Sequence, residues 1–200
     1  MTTRNRAPLA AVLGIMALIL GHDALGQTPQ DPGKGDLAPA SSATPPIGEP
    51  AGWHTMTGPG GSFTAELPAA PTYTATPQQT AAGASYTMHH FLFEEGAVAY
   101  MIQTSIYPED VRVTSHRTNL QGGLDNAARN MDGAKWASIG WLTHQGLTAV
   151  DAVGVRGGLA IRSYSVMKGR QVFTLTYAGP SGSARSDDAN RFVASLRVGQ

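Results

Sequence analysis

The sequence predicts an α+β fold, a mostly antiparallel β-sheet meander with helices packed on it. Three observations predict it. From Trp53 onward, short runs rich in Val, Ile, Thr, Tyr and Phe are punctuated by glycines. Three turn signals, Gln145-Gly146, Gly157-Gly158 and Lys168-Gly169, then follow at a spacing too close for parallel crossovers, which need a dozen or more residues each. Two stretches change to a helical period, one near Leu120 and one near Phe192.

The elements follow in order. Trp53 to Met56 and Phe63 to Leu67 read as strands on either side of Gly58-Pro59-Gly60-Gly61, a turn. Pro68 and Pro71 stop the second strand, and Thr74 to Gly83 reads as a loop. Tyr86 to Phe93 and Ala97 to Tyr107 flank Glu94-Glu95-Gly96, a short hairpin connection. Val98, Tyr100, Ile102, Thr104 and Ile106 share one face, the alternation of a half-buried strand. Pro108 closes that strand, and Leu120, Leu124, Ala127, Ala128 and Met131 then form one helical stripe. Gly122-Gly123 weakens the start of this helix and Gly133 suits its end.

Four strands are expected next: Trp136 to Thr143, Thr148 to Val155, Leu159 to Met167, and Val172 to Ala178. In the last, Phe173, Leu175 and Tyr177 face the core, and Thr174 and Thr176 make the other face Thr-rich. Ser186 is the expected N-cap of a closing helix, with Asp187 and Asp188 at the positive end of its dipole. Ala189, Phe192, Val193 and Leu196 form its packing stripe.

Residues 1–26 read as a signal peptide. Arg4 and Arg6 precede an uncharged apolar run from Leu9 to Leu20, and Ala24-Leu25-Gly26 supplies a small-any-small cleavage site before Gln27. The run is about a dozen residues, against about 20 for a membrane span. The expected product is exported, periplasmic or extracellular, with no stable membrane span after cleavage. Gln27 to Gly52 reads as a disordered Pro-rich linker, because it carries too few large apolar residues to offset ordering entropy. Residues 53–200 are expected to form a single α+β domain.

The chain carries 14 basic and 14 acidic residues. Loss of Arg4, Arg6 and Asp23 leaves the mature chain with one excess negative charge. Nucleic acid and anionic membrane surfaces are thereby disfavoured as partners, since both select a basic excess. There is no cysteine, which excludes disulfides, thiol catalysis, lipid attachment at a Cys and thiolate-held metals.

Two stretches carry a family resemblance. Gly61-Ser62-Phe63-Thr64-Ala65-Glu66-Leu67-Pro68 looks like the G-x-F-x-x-x-x-P opening strand of small exported bacterial domains. The run from Gln145-Gly146 through Arg162, Tyr164, Lys168-Gly169-Arg170 and Phe173-Thr174-Leu175-Thr176 to Phe192-Val193-Ala194-Ser195-Leu196 resembles the hairpin and closing helix of PsbP-like and DcrB-like domains. The resemblance implies an α/β/α sandwich on an antiparallel sheet. It also implies an accessory or binding module rather than an enzyme, and it transfers no catalytic residue.

The residues themselves nominate no catalytic or metal site. His54, His89, His90, His116 and His144 are the mature chain's imidazoles, but His89 and His90 adjoin in a strand and project to opposite faces. Neither H-E-x-x-H nor a G-x-S-x-G elbow occurs, so Asp151 and the loop Gly179-Pro180-Ser181-Gly182-Ser183 lack a nucleophile context. Glu94-Glu95, Glu109-Asp110 and Asp187-Asp188 are adjacent carboxylates with structural explanations. No phosphate-cradling or dinucleotide loop points to a cofactor. Trp136 and Trp141, five apart, would face opposite sides of a regular strand, one in the core and one exposed.

Three function classes follow. The first is an exported, non-enzymatic accessory module that binds a protein or envelope component. The second is a small-molecule or metal-binding domain with its pocket between sheet and helix. The third is an envelope hydrolase.

Overall fold

The computed structural model describes residues 52–80, 82–130 and 135–199. The expected signal peptide over 1–26, its cleavage site at Ala24, Gly26 and Gln27, all but the last residue of the linker over 27–52, and the helix-end positions Met131 and Gly133 lie outside the described residues. Among the described residues ten strands make two sheets. The larger has seven, β3 (Thr72–Gln79), β4 (Ser85–Glu95), β5 (Val98–Ile106), β6 (Trp136–His144), β7 (Leu147–Arg156), β8 (Leu159–Lys168) and β9 (Gln171–Pro180), in the spatial order β3-β4-β5-β9-β8-β7-β6. The smaller joins β1 (His54–Thr57), β2 (Phe63–Leu67) and β10 (Arg197–Val198), with β2 in the middle. Every pairing is antiparallel. Helix α1 (His116–Asn130) lies between β5 and β6, and α2 (Asp187–Ala194) follows β9. No helix among the described residues is long and apolar enough to cross a membrane.

Short turns set the register. Gln145 and Gly146, with φ of 50° and 80°, form the two-residue turn that pairs His144 with Leu147. Both angles are positive, as a type I′ hairpin turn requires. The β6–β9 meander then folds back so that β9 lies against β5, with Ile102 opposite Leu175.

The seven-stranded sheet is covered differently on its two faces. On one, Phe91, Tyr100 and Phe173 meet Phe63 and Leu67 of the small sheet and Phe192 of α2. Phe63 is edge-on to Phe91 and Phe173 at 5.9 and 5.7 Å, and Phe192 to Tyr100 at 5.3 Å, the geometry that aromatic quadrupoles favour. On the other face, Leu120 and Leu124 of α1 pack with Val150, Ala152 and Met167. Ser186 caps α2 as its sequence predicts, accepting a hydrogen bond from the Ala189 N–H.

A charged cluster pins α2 to the sheet. Arg162 Nε and Nη2 each donate to an Asp151 carboxylate oxygen at 2.9 Å, and Nη1 donates to Asn190 Oδ1 at 2.8 Å. Arg185 adds a contact to Asp151 at 2.6 Å. Burial alone would raise the Asp151 carboxyl pKa, but the two guanidinium groups outweigh it and hold the carboxyl below its ordinary value.

The structure corrects four expectations. Thr72–Gln79 is a strand, although residues 74–83 read as a loop. It is an edge strand with almost every residue exposed, so no alternation of buried residues marks it. The strands near Trp53 and Phe63 belong to the separate sheet, closed by the two-residue β10. Strand β5 is buried on both faces, not one, because it sits inside the sheet between the two covering layers. Lastly, Trp136 and Trp141 share a face. A bulge between Trp136 and Ser138 inserts one residue and resets the alternation. Both tryptophans therefore pack with the α1 cluster, and Trp136 Nε1 donates to the Leu124 carbonyl at 2.9 Å.

Candidate functional site

The face under α1 changes character across the sheet. Pairing aligns one row of side chains as Thr74, His90, Gln103, Thr174, Ser165, Val150 and Trp141 on neighbouring strands. The next row reads Leu92, Met101, Thr176 and Ser163, and the row on the other side Met88, Ser105, Val172 and Met167. Toward β7 and β6 the first two rows become apolar, with Val150, Trp141 and Ala152, and lie beneath α1. Toward β4, β5 and β9 they form a belt of hydroxyl, amide and imidazole groups. Ala99, Met101 and Ala178 cluster as small apolar ground beside it.

The belt is buried and incompletely bonded. Thr176 is 0% exposed, Ser105 2% and His90 5%. Thr174 and Ser165 bond one another at 3.0 Å, and Gln103 Nε2 donates to Met88 Sδ. But among the described residues His90 Nδ1, Ser105 Oγ, Thr176 Oγ1 and Glu94 Oε1 on this face have no hydrogen-bond partner, and neither has Asn119 Oδ1 on α1. A buried polar atom without a partner costs about 1–3 kcal/mol, and folded proteins keep few of them without a reason.

The groups at the centre of the belt are uncharged. Burial, and after it the adjacent His89, lowers the His90 pKa from 6.5 to about 4, so the ring is an uncharged donor–acceptor at pH 7. Burial also raises the Glu94 carboxyl pKa at the belt's end. His90 Nδ1 and Ser105 Oγ both lack partners, so they form no nucleophile–base pair with each other.

The other sequence candidates are dispersed. His89 projects to the face opposite His90 and meets the Tyr73 hydroxyl at 2.8 Å. His54 lies on the small sheet and His116 at the start of α1. His144 Nδ1 meets the Tyr164 hydroxyl at 2.9 Å, and burial lowers its pKa. Among the described residues no three His, Asp or Glu side chains converge as a metal site would require. Asp151 is held by its two arginines. Ser183 donates to the Pro180 carbonyl at 2.6 Å within its turn, and Asp110 accepts from Thr80. The residues that sequence reasoning missed are Gln103, Ser105, Ser163 and Ser165. Their only trace in the chain is a polar residue at every second place in three separate strands, of which Thr174 and Thr176 alone stood out.

With this geometry in view, the chain is similar to cyanobacterial PsbP (CyanoP) from Synechocystis sp. PCC 6803. The TM-score is 0.53 at 10% identity, over 80% of this chain and 99% of that one. It also aligns with PA94 from Pseudomonas aeruginosa, a protein of unknown function, at a TM-score of 0.37 and 14% identity over 66% and 86% of the two chains. A Bacteroides thetaiotaomicron VPI-5482 protein aligns at 0.36 and 14%, over 75% of this chain and 49% of that one. No family model and no curated protein matches the sequence. The fold is PsbP-like, and at this identity the likeness is one of fold.

Proposed function

We propose that this chain is an exported, non-enzymatic binding module of PsbP-like fold, and that the belt of His90, Gln103, Ser105, Thr174 and Thr176 seats a small uncharged polar ligand. One observation carries the reading: four buried polar atoms without partners among the described residues, His90 Nδ1, Glu94 Oε1, Ser105 Oγ and Thr176 Oγ1, lie on one half of one sheet face. A ligand offering both donors and acceptors satisfies them, as a hydroxyl-rich or amide-bearing compound does. A fixed negative charge would meet neutral groups and the Glu94 carboxyl, and would incur a desolvation cost without a counter-charge. The leader-like residues 1–26 support export. N-terminal sequencing of the exported protein is expected to begin at Gln27, and a product confined to the cytosol removes that part of the reading.

The binding test is a melting screen of the full chain against neutral polyols, sugars and amides, with divalent metals and EDTA as separate arms. A ligand at 100 times its Kd adds about 2.7 kcal/mol, or roughly 5–10 °C for a fold of this size. The shift is expected with a neutral polar compound and is lost in Thr176→Val and Ser105→Ala. A flat screen, a shift produced by metal alone, or a shift that survives both substitutions overturns the proposal.

A further inference from the structure

The seven-stranded sheet has two edges, and they are protected unequally. Edge strand β3 contains Pro77. Proline cannot donate to a ladder, so its nitrogen takes the outward position, and an incoming strand meets a gap there. Edge strand β6 reads Trp-Ala-Ser-Ile-Gly-Trp-Leu-Thr-His, with no charge and no proline. It pairs with β7 alone among the described residues. Ile139 and Leu142 on it are each 41% exposed, one on either face of the sheet.

The hairpin register says which backbone groups are free for pairing. In a two-residue hairpin the residues flanking the turn, here His144 and Leu147, exchange hydrogen bonds, and bonded and non-bonded pairs alternate from there. The inward ladder therefore uses Ser138, Gly140, Leu142 and His144. The N–H and C=O groups of Ile139, Trp141 and Thr143 point outward.

We propose that β6 pairs with β6 of a second copy of this chain, antiparallel, about a two-fold axis through Gly140. That register engages the outward groups of all three residues. It sets Ile139 of one copy beside Trp141 of the other, an aromatic against β-branched pair of the kind that stabilises sheets. Gly140 then faces its own copy at the axis, where non-bonded strand pairs approach most closely. A register shifted by one residue in each copy would place Trp141 on Trp141 and bring together the two Arg117 guanidinium groups, each stacked on its own Trp141 at 4.3 Å. An uncharged strand meeting itself buries no unpaired charge. Pro77 disfavours the alternative β3-to-β6 contact, which would propagate instead of closing.

The test is sedimentation equilibrium of the full chain over a wide concentration range, with amide hydrogen exchange. A monomer–dimer equilibrium is expected, with the amides of Ile139, Trp141 and Thr143 gaining protection as dimer forms. Ile139→Lys is expected to weaken association at least about tenfold, equivalent to about 1.4 kcal/mol, with little change in melting temperature. Thr143→Pro, which removes an outward donor, is expected to do the same. A chain that stays monomeric at millimolar concentration overturns the proposal, as does a dimer that neither variant weakens.

Discussion

The two halves of the face under α1 are built on the same rows of the same sheet, yet they solve different problems. Where β6, β7 and β8 pass beneath α1, Val150, Ala152 and Met167 meet Leu120 and Leu124, and Trp136 bonds the helix backbone. Where β4, β5 and β9 continue the same rows, His90, Ser105 and Thr176 are equally buried but leave polar atoms unmatched. The first half removes apolar surface from water and stabilises the fold. The second retains groups that cost stability unless something answers them. On the sheet itself the two halves are alike in burial and differ in hydrogen-bond satisfaction.

The largest expected effect breaks the covered half. Leu124→Ala should cost about 2–5 kcal/mol, the range for truncating a buried leucine, read as a fall in the urea midpoint. A cost near zero would mean that α1 does not pack as described. The belt should respond with the opposite sign. Thr176→Val swaps a fully buried, unpartnered hydroxyl for a methyl of similar shape, so stability in the absence of ligand should rise by about 1–3 kcal/mol. Destabilisation would give that hydroxyl a structural role.

The third effect concerns acid. The unfolded chain protonates its histidines near pH 6.5, whereas folded His90 resists protonation until about pH 4. Its contribution is therefore complete above pH 6.5 and is lost as the pH falls toward 4, with a slope of at most about 1.4 kcal/mol per pH unit. Glu94, with its raised pKa, acts in the opposite direction at the acid end. Comparing His90→Gln with the parent chain isolates the His90 part: the difference in urea stability should shrink from pH 7 to pH 4. A constant difference would place His90 in contact with water.

Much of the fold was legible because most strands here have a buried side. β4, β5 and the β6–β9 meander were read from alternation and glycine turns, and α2 from its cap and stripe. β3 escaped because a strand at an edge, with Pro77 and almost every residue exposed, carries no hydrophobic period. β10 is two residues long and exists only through pairing with β2. The shared face of Trp136 and Trp141 depends on a one-residue bulge, which composition does not mark. The candidate site was legible only in Thr174 and Thr176, and in His90 as one of five dispersed imidazoles. Its other members belong to strands whose adjacency is decided by the return of β9 to β5, and no local pattern reports that.

That return sets an order of events as well as a shape. β3–β5 and β6–β9 are each runs of sequential neighbours joined by short turns, and each can form locally. The seam where Ile102 meets Leu175 closes only when the long segment bearing α1 has been folded away, and such non-local pairings come slowly. His90, Gln103 and Ser105 travel on one unit, and Thr174, Thr176 and Ser165 on the other. The belt therefore comes into being late in folding, and neither unit alone displays it.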